Sequence, residues 1–292
     1  MANLTKIKVL GTAQDAGHPQ LNCSCEHCRQ ARKDKSLSLL QSSIAVADLK
    51  DKKTFMLDAT PAFPEQLNLL NDFAAKENMA TEHLSGILLT HAHLGHYTGL
   101  MYLGKEALNT SNFPVYLSQK MLDFLKDNAP WSDLIKNNLK PLVFKFEENY
   151  QLTENISFRA VEVEHRNEYA DTVGFIIETK EQSFFYLPDF DSWSSLAERF
   201  REILKEVDLA FIDGTFFDKK ELGELRGREL SEVPHPPILE SMALFSDLAE
   251  EQKQKIYFTH FNHTNRIFDQ DGKKKKLVEK NGFNILESGK EF

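Results

Sequence analysis

Short apolar runs recur along the chain, and each reads as a strand: IKVLG, SSIAVAD, TFMLDA, GILLT, PVYLS, LVFKF, SFRAVEVEH, TVGFIIET, SFFYLPD, LAFIDGT and KIYFTH. Between them lie segments whose apolar residues return every three or four positions. In PEQLNLLNDFAAKENM, Leu67, Leu70, Phe73 and Ala74 share one face. YTGLMYLGKEAL, SQKMLDFLKDN, SWSSLAERFREILKEV and PPILESMALFSDLAEEQ follow the same periodicity and are expected as helices. Ser118 and Asp191 or Ser192 suit helix N-caps, and Pro236 or Pro237 suits a first turn. Strands precede helices, a meander of strands follows, and mixed elements then resume. This order predicts an α/β chain with two sheets back to back and helices outside. No repeat, low-complexity linker or hinge marks a boundary, so residues 1–292 are expected to form one domain; the alternative is a split near Lys140.

Composition narrows the function more than the fold. Hydrophobic residues make up 41% and charged residues 27%, as in an ordinary globular protein. The formal charge of −9, with no extended Lys/Arg stripe, argues against a nucleic-acid partner. The basic run GKKKKL (272–277) reads as a solvated helix start. MANLTKIKVLG enters a strand pattern without a signal-peptide h-region, and no run approaches a membrane span. The expectation is a cytoplasmic protein without membrane partners, acting on a small molecule, with homodimerisation left open.

The densest chemistry follows the GILLT strand. GILLTHAHLGHYTGL places His91 and His93 two apart, on one side of an extended exit, and His96 three further on. Imidazoles so spaced suit zinc, iron or manganese. His165 closes SFRAVEVEH, Asp189 closes SFFYLPD and His260 closes KIYFTH. One histidine at a strand end is ordinary; four ligand-bearing strand ends in one chain point to a metal site carried on loops. Cys23, Cys25 and Cys28 fall within six residues, a spacing that suits a structural tetrahedral zinc rather than disulfides. Its fourth ligand is open among His263, His27 and His18, although four ligands within one tight loop would be strained.

These residues resemble the metallo-β-lactamase fold superfamily, whose His-x-His-x-Asp-His signature is met by HAHLGH with Gly95 in place of the Asp. The resemblance covers essentially the whole chain and implies an αβ/βα four-layer sandwich. It also implies one metal on His91, His93 and His165, and a second on His96, Asp189 and His260, with Asp189 bridging. Two such ions share a water and make hydroxide available at neutral pH, so the expected activity is that of a metal-dependent hydrolase. Zinc, manganese or iron, one ion or two, fit this ligand set. The loss of a carboxylate at Gly95 suggests an uneven pair, and Gly95→Asp should tighten the second site if its geometry is conventional.

The cysteine run resembles a zinc knuckle in a phosphodiesterase branch associated with carbon–phosphorus lyase, where a histidine just past the last metal-site histidine closes the site. That implies His263. KVLGTAQDAGHPQLNCSCEHC, QSSIAV, IDGTFF, HPPI and THFNHTN look most like coenzyme PQQ synthesis protein B and its relatives. The PQQ-pathway members of that family lack much of the histidine signature, whereas this chain keeps three of its histidines. Three readings follow: a hydrolase of small phosphodiesters, an iron-dependent oxygenase, or a non-catalytic metal-binding partner protein. The phosphodiesterase branches imply that His235, at the head of a helix, protonates the leaving group; an exposed loop histidine is the plainer alternative. Asp58 and Asp213 are expected to support the ligands, and Tyr97 or Tyr169 to shape the pocket. Asp15 in GTAQDAG is either a turn former or, directly or through water, the source of the carboxylate missing at 95.

Overall fold

The protein is described from a computed structural model, which places residues 3–79, 83–223 and 234–292. Six strands form the first sheet in the order β1 (Thr5–Gly11), β2 (Ser43–Asp48), β3 (Lys53–Leu57), β4 (Leu84–Leu88), β5 (Phe113–Leu117) and β6 (Leu139–Val143). The second sheet holds β7 (Asn149–Gln151), β8 (Ile156–Val163), β9 (Thr172–Thr179), β10 (Ser183–Leu187), β11 (Leu209–Asp213), β12 (Ile256–Thr259) and β13 (Asn284–Ile285), each beside its sequence neighbour. Lys140 lies inside β6, paired with β5.

Strand alternation explains the layering. Ile7, Val9, Ile44, Val46, Phe55 and Leu57 of the first sheet meet Phe158, Phe175, Tyr186 and Phe211 of the second in one buried cluster between the sheets. On the outer face of the first sheet, Met56, Ile87 and Val115 pack under helices Phe63–Lys76 and Gln119–Asp127. On the outer face of the second, Phe185, Leu187 and Ile212 pack under Trp193–Glu206 and Ile238–Leu244. Apolar area on both faces of each sheet is what a four-layer αβ/βα sandwich requires.

Strand direction gathers the loops. β1, β3 and β4 run the same way in one sheet, and β8, β10, β11 and β12 run the same way in the other. Their C-terminal ends therefore open on one edge, and every strand-end candidate named above follows one of them.

The periodicity located most elements, with informative departures. Ser118 caps its helix through a bond from Met121 N, and Ser192 rather than Asp191 caps Trp193–Glu206 through Ser194 N. PPILESMALFSDLAEEQ breaks into two helices, Ile238–Leu244 and Glu250–Lys253, with Pro237 just ahead of the first. YTGLMYLGKEAL forms a 3-10 turn over Thr98–Leu103 instead of an α-helix. There Gly99 lies against the backbone of Thr60, where a Cβ would meet the carbonyl oxygen. The GKKKKL run does begin a helix, Lys273–Lys280. Among the described residues, no helix is long and apolar enough to cross a membrane.

Candidate metal centre

The edge loops bring His91, His93, His165 and Asp189 together so that one ligand atom from each lies within 4.8 Å of the others. His165 Nε2 stands 3.2 Å from His93 Nδ1, and His91 Nε2 stands 3.2 Å from Asp189 Oδ2. Two nitrogens on one tetrahedral zinc would be roughly 3.3 Å apart. A second set, Asp15, His96 and His260, meets the same distance limit. Asp189 Oδ2 is also 2.9 Å from His96 Nε2, so a single carboxylate oxygen faces both sets. His260 carries the one left-handed backbone among the expected ligands (φ +61), a conformation costly for a non-glycine residue and concentrated at functional sites.

The far nitrogen of most rings is tied down. His91 Nδ1 donates to Thr90 Oγ1 (2.9 Å), His96 Nδ1 to Asp58 Oδ2 (2.8 Å), His165 Nδ1 to Asp191 Oδ1 (3.0 Å) and His260 Nδ1 to Thr215 Oγ1 (2.9 Å). Those bonds fix the tautomer and turn each Nε2 lone pair toward the centre. Asp58, buried and left-handed (φ +68), is itself held by Thr90 N and Thr90 Oγ1. It supports the ligand loop, as expected for that strand-end aspartate.

Polar atoms at the centre are left without partners. His91 Nε2, His96 Nε2, His260 Nε2, Asp189 Oδ1 and Asp15 Oδ1 are all buried and none makes a hydrogen bond. Such orphans are costly in protein interiors, and cations held by the two ligand sets would satisfy them. The electrostatics agree. Burial, with His96 beside it, holds His91 well below its usual range, leaving a neutral imidazole. Burial opposes charge on His96, yet Asp58, Asp15 and Asp189 together hold it well above its usual range. Burial also resists charge on Asp189, but His260, His91 and His96 keep it ionised. This cluster calls for positive charge, and the residues fit a metal centre.

A donor pair adjoins it. Asp213, at the end of β11, accepts from Thr215 N and pairs with His235 Nδ1 at 2.6 Å. Burial disfavours a charged His235, but Asp213 dominates and raises it to about 9. His235 Nδ1 is also 3.5 Å from Asp189 Oδ1, which sets the pair beside the metal centre rather than on an outer loop.

In the loops that follow β1 and β12, Cys23, Cys25 and Cys28 place their sulfurs 3.5, 3.5 and 3.4 Å from His263 Nδ1. Tetrahedral zinc with ordinary Zn–S and Zn–N bonds would set that separation at roughly 3.5 Å. All three cysteines are free of disulfides. His27 Nδ1 instead faces the His263 carbonyl at 3.2 Å, and His18 stacks on Phe268 with ring centroids 4.7 Å apart. Of the three candidates for a fourth ligand, His263 is the one whose ring nitrogen lies against all three sulfurs.

Comparison with known families turns on the segment that carries most of these residues. The "Beta-lactamase superfamily domain" pattern matches residues 53–261. The chain belongs to the beta-lactamase superfamily. Within it, the chain is similar to coenzyme PQQ synthesis protein B of Nitrosococcus oceani, 25% identical over 309 aligned positions covering 97% of this chain and 98% of that protein. Among solved structures it resembles Zn(2+)-bound PqqB from Methylobacterium extorquens, with a TM-score of 0.82, 21% identity, and 98% and 99% of the two chains covered. It also resembles a diphosphatase from the PhnP family, with a TM-score of 0.69, 22% identity, and 99% and 96% covered. Both likenesses establish the metallo-β-lactamase fold.

Several residues that shape this site carry little signature in the sequence. Asp191, a cap candidate by sequence, instead accepts from His165 Nδ1, and its spacing of two from Asp189 is the signal that both point one way. Thr90 and Thr215 carry no signal of their own. Glu168, 3.4 Å from His93 Nε2, reaches the site on a loop whose path the sequence does not reveal. Tyr169 is exposed on that loop and packs against Phe124, while Tyr97 packs between Phe124 and Trp131.

Proposed function

We propose that this protein is a metal-dependent hydrolase acting on a small phosphodiester, and that its catalytic cations, zinc, manganese or iron, are held at the strand edge. His91, His93 and His165 would hold one cation, His96 and His260 the other, and Asp189 both. Asp189 Oδ2, lying 3.2 Å from His91 Nε2 and 2.9 Å from His96 Nε2, is the observation that carries this reading. When bound, such a pair lowers the pKa of a shared water and neutralises charge on the attacked group. Cys23, Cys25, Cys28 and His263 would hold a separate structural zinc, away from the chemistry.

The chain's own residues supply the rest. Thr90, Asp58, Asp191 and Thr215 orient the imidazoles, so the ligand geometry exists before substrate arrives. His235, oriented by Asp213 through its Nδ1, has no hydrogen-bond partner at Nε2 among the described residues. That nitrogen is the group to deliver a proton to the leaving oxygen. Arg166, adjacent to His165 and paired with Glu168 at 2.9 Å, offers a cation at the rim for an anionic substrate. The diphosphatase on the same fold accords with phosphorus as the attacked atom. The acidic net charge favours a small substrate over a polynucleotide.

The full-length similarity to PQQ synthesis protein B keeps a second reading, an iron-dependent oxygenase, in view. Anaerobically purified protein, reconstituted with zinc, manganese or iron, should be assayed against phosphodiesters and lactones with and without oxygen. Oxygen-independent hydrolysis of a diester supports the proposal. Turnover that requires iron and consumes oxygen, with no hydrolysis, overturns it.

A further inference from the structure

We propose that the carboxylate missing from the histidine signature has moved to Asp15, and that position 95 must be glycine because Asp15 occupies the space a side chain there would fill. This rests on the metal-centre reading above and deepens it. A Cβ built on Gly95 would stand 2.1 Å from Asp15 Oδ1, 2.8 Å from Asp15 Cα and 3.0 Å from Asp15 Cγ. The carboxylate thus occupies the place that a signature aspartate's own side chain would enter. Asp15 Oδ1 is 3.5 Å from His96 Nε2 and groups with His96 and His260 as a set of ligand atoms. All three of these facing atoms are buried and unpartnered.

The alternative is that Asp15 only shapes its turn. A turn-forming aspartate spends its side chain on nearby backbone N–H groups. Here the turn is closed by Gly17 N donating to Gln14 O, with Gly17 in the left-handed region (φ +71). The Asp15 side chain makes no such bond, and its Oδ1 points inward without a partner.

The loop is held where the ligand is needed. Gln14 N donates to Phe261 O (2.9 Å) and Phe261 N to Thr12 O (2.8 Å), tying the loop to the residue that follows His260. Gln41 Nε2 donates to Asp15 O at 3.2 Å. The same loop continues into the cysteine knuckle, whose His263 lies three residues past His260. The knuckle and the strand-edge cluster therefore pin Asp15 from two sides.

Position 95 and position 15 are then mutually exclusive carriers of one charge. The expectation from the signature, that Gly95→Asp tightens the second site, is reversed by this geometry: the added side chain would collide with Asp15.

Metal content separates the possibilities. Cobalt(II) would be titrated into the apo chain, with the thiolate charge-transfer band reporting the knuckle and the d–d bands the strand-edge cluster. Near-UV circular dichroism would check the fold of each variant. Wild type should take one ion at the knuckle and two at the cluster. Asp15→Asn should keep the knuckle ion and weaken the last cluster ion by more than about 100-fold, beyond the loss typical of an outer-shell change. Gly95→Ala should weaken it similarly, because it displaces a carboxylate it does not remove. Unchanged affinity in Asp15→Asn, or tighter binding in Gly95→Asp, overturns the proposal while leaving the hydrolase reading intact. A wild-type chain that fills only its knuckle overturns both.

Discussion

Replacing Asp58 by Asn removes one buried charge and leaves nearly everything else in place. Asn adopts the left-handed region more readily than most residues, so the φ of +68 is retained. Asp58 is fully buried and accepts from Thr90 N at 2.8 Å, Thr90 Oγ1 at 2.9 Å and His96 Nδ1 at 2.8 Å. An amide offers one acceptor oxygen where the carboxylate offers two, so either Thr90 or His96 loses its partner. One hydrogen bond to a charged group is worth about 1.5–3 kcal/mol, which sets the expected loss of fold stability. The effect on metal should be selective. His96 loses the group that orients it, and such supporting residues typically contribute about 10–100-fold in affinity, or roughly 1.4–2.8 kcal/mol. The ion on His91, His93 and His165 should be affected far less. Chelator competition on wild type and Asp58→Asn, alongside denaturant melts, measures both quantities. Equal weakening of both ions, or no weakening, would refute the assignment of Asp58 as the orienting partner of His96.

Three further outcomes follow from the same geometry. His235→Ala should lower kcat on an ester with a poor leaving group by about 100–10,000-fold and leave KM nearly unchanged. Esters that release p-nitrophenolate should lose little, and an equal loss on both would contradict a proton-donating role. Cys28→Ser should release the knuckle zinc and expose the 12–28 loop to limited proteolysis; full zinc retention by elemental analysis would show that the thiols are not its ligands. Glu221 is buried, and burial raises its carboxyl from 4.5 to about 7 despite bonds from Thr264 Oγ1 and Phe217 N. The folded state therefore holds this proton more tightly than the unfolded state. Stability should fall as pH rises from about 4.5 to about 7, by roughly 3 kcal/mol (a shift of about 2.5 at 1.36 kcal/mol per unit). Glu221→Gln should remove that slope, so its stability relative to wild type should rise between pH 5 and pH 8 in urea melts. A difference independent of pH would contradict it.

Strand-forming runs were legible because a sheet covered on both faces needs them nearly continuous, as in TVGFIIET, which matches β9 (Thr172–Thr179) residue for residue. The two short edge strands, β7 and β13, bury too little for their sequence to betray them. The helix expected over PPILESMALFSDLAEEQ fails at Phe245, which turns into a cluster with Trp193 and Phe200, a tertiary demand that periodicity cannot anticipate. Candidate ligands at strand ends are readable because residue type and position coincide at His91, His165 and His260. Their partners were not. Thr90, Thr215 and Asp191 are ordinary loop residues until two sheets place them behind an imidazole. Gly95 lies between the two cases: the sequence offers Asp15 as either a turn former or a substitute carboxylate, and the packing that puts Asp15 Oδ1 in the space of a Gly95 side chain favours the second.

The proposed hydrolase chemistry depends on metals gathered around Asp189. Its most direct test is the rate of bis(p-nitrophenyl) phosphate hydrolysis without oxygen, measured against metal content, for wild type and Asp189→Asn. The apo chain should show no turnover, turnover should rise as the strand-edge cluster fills, and Asp189→Asn should stay at background with its knuckle zinc intact. Hydrolysis by the metal-free chain, or an Asp189→Asn rate equal to wild type, would contradict it.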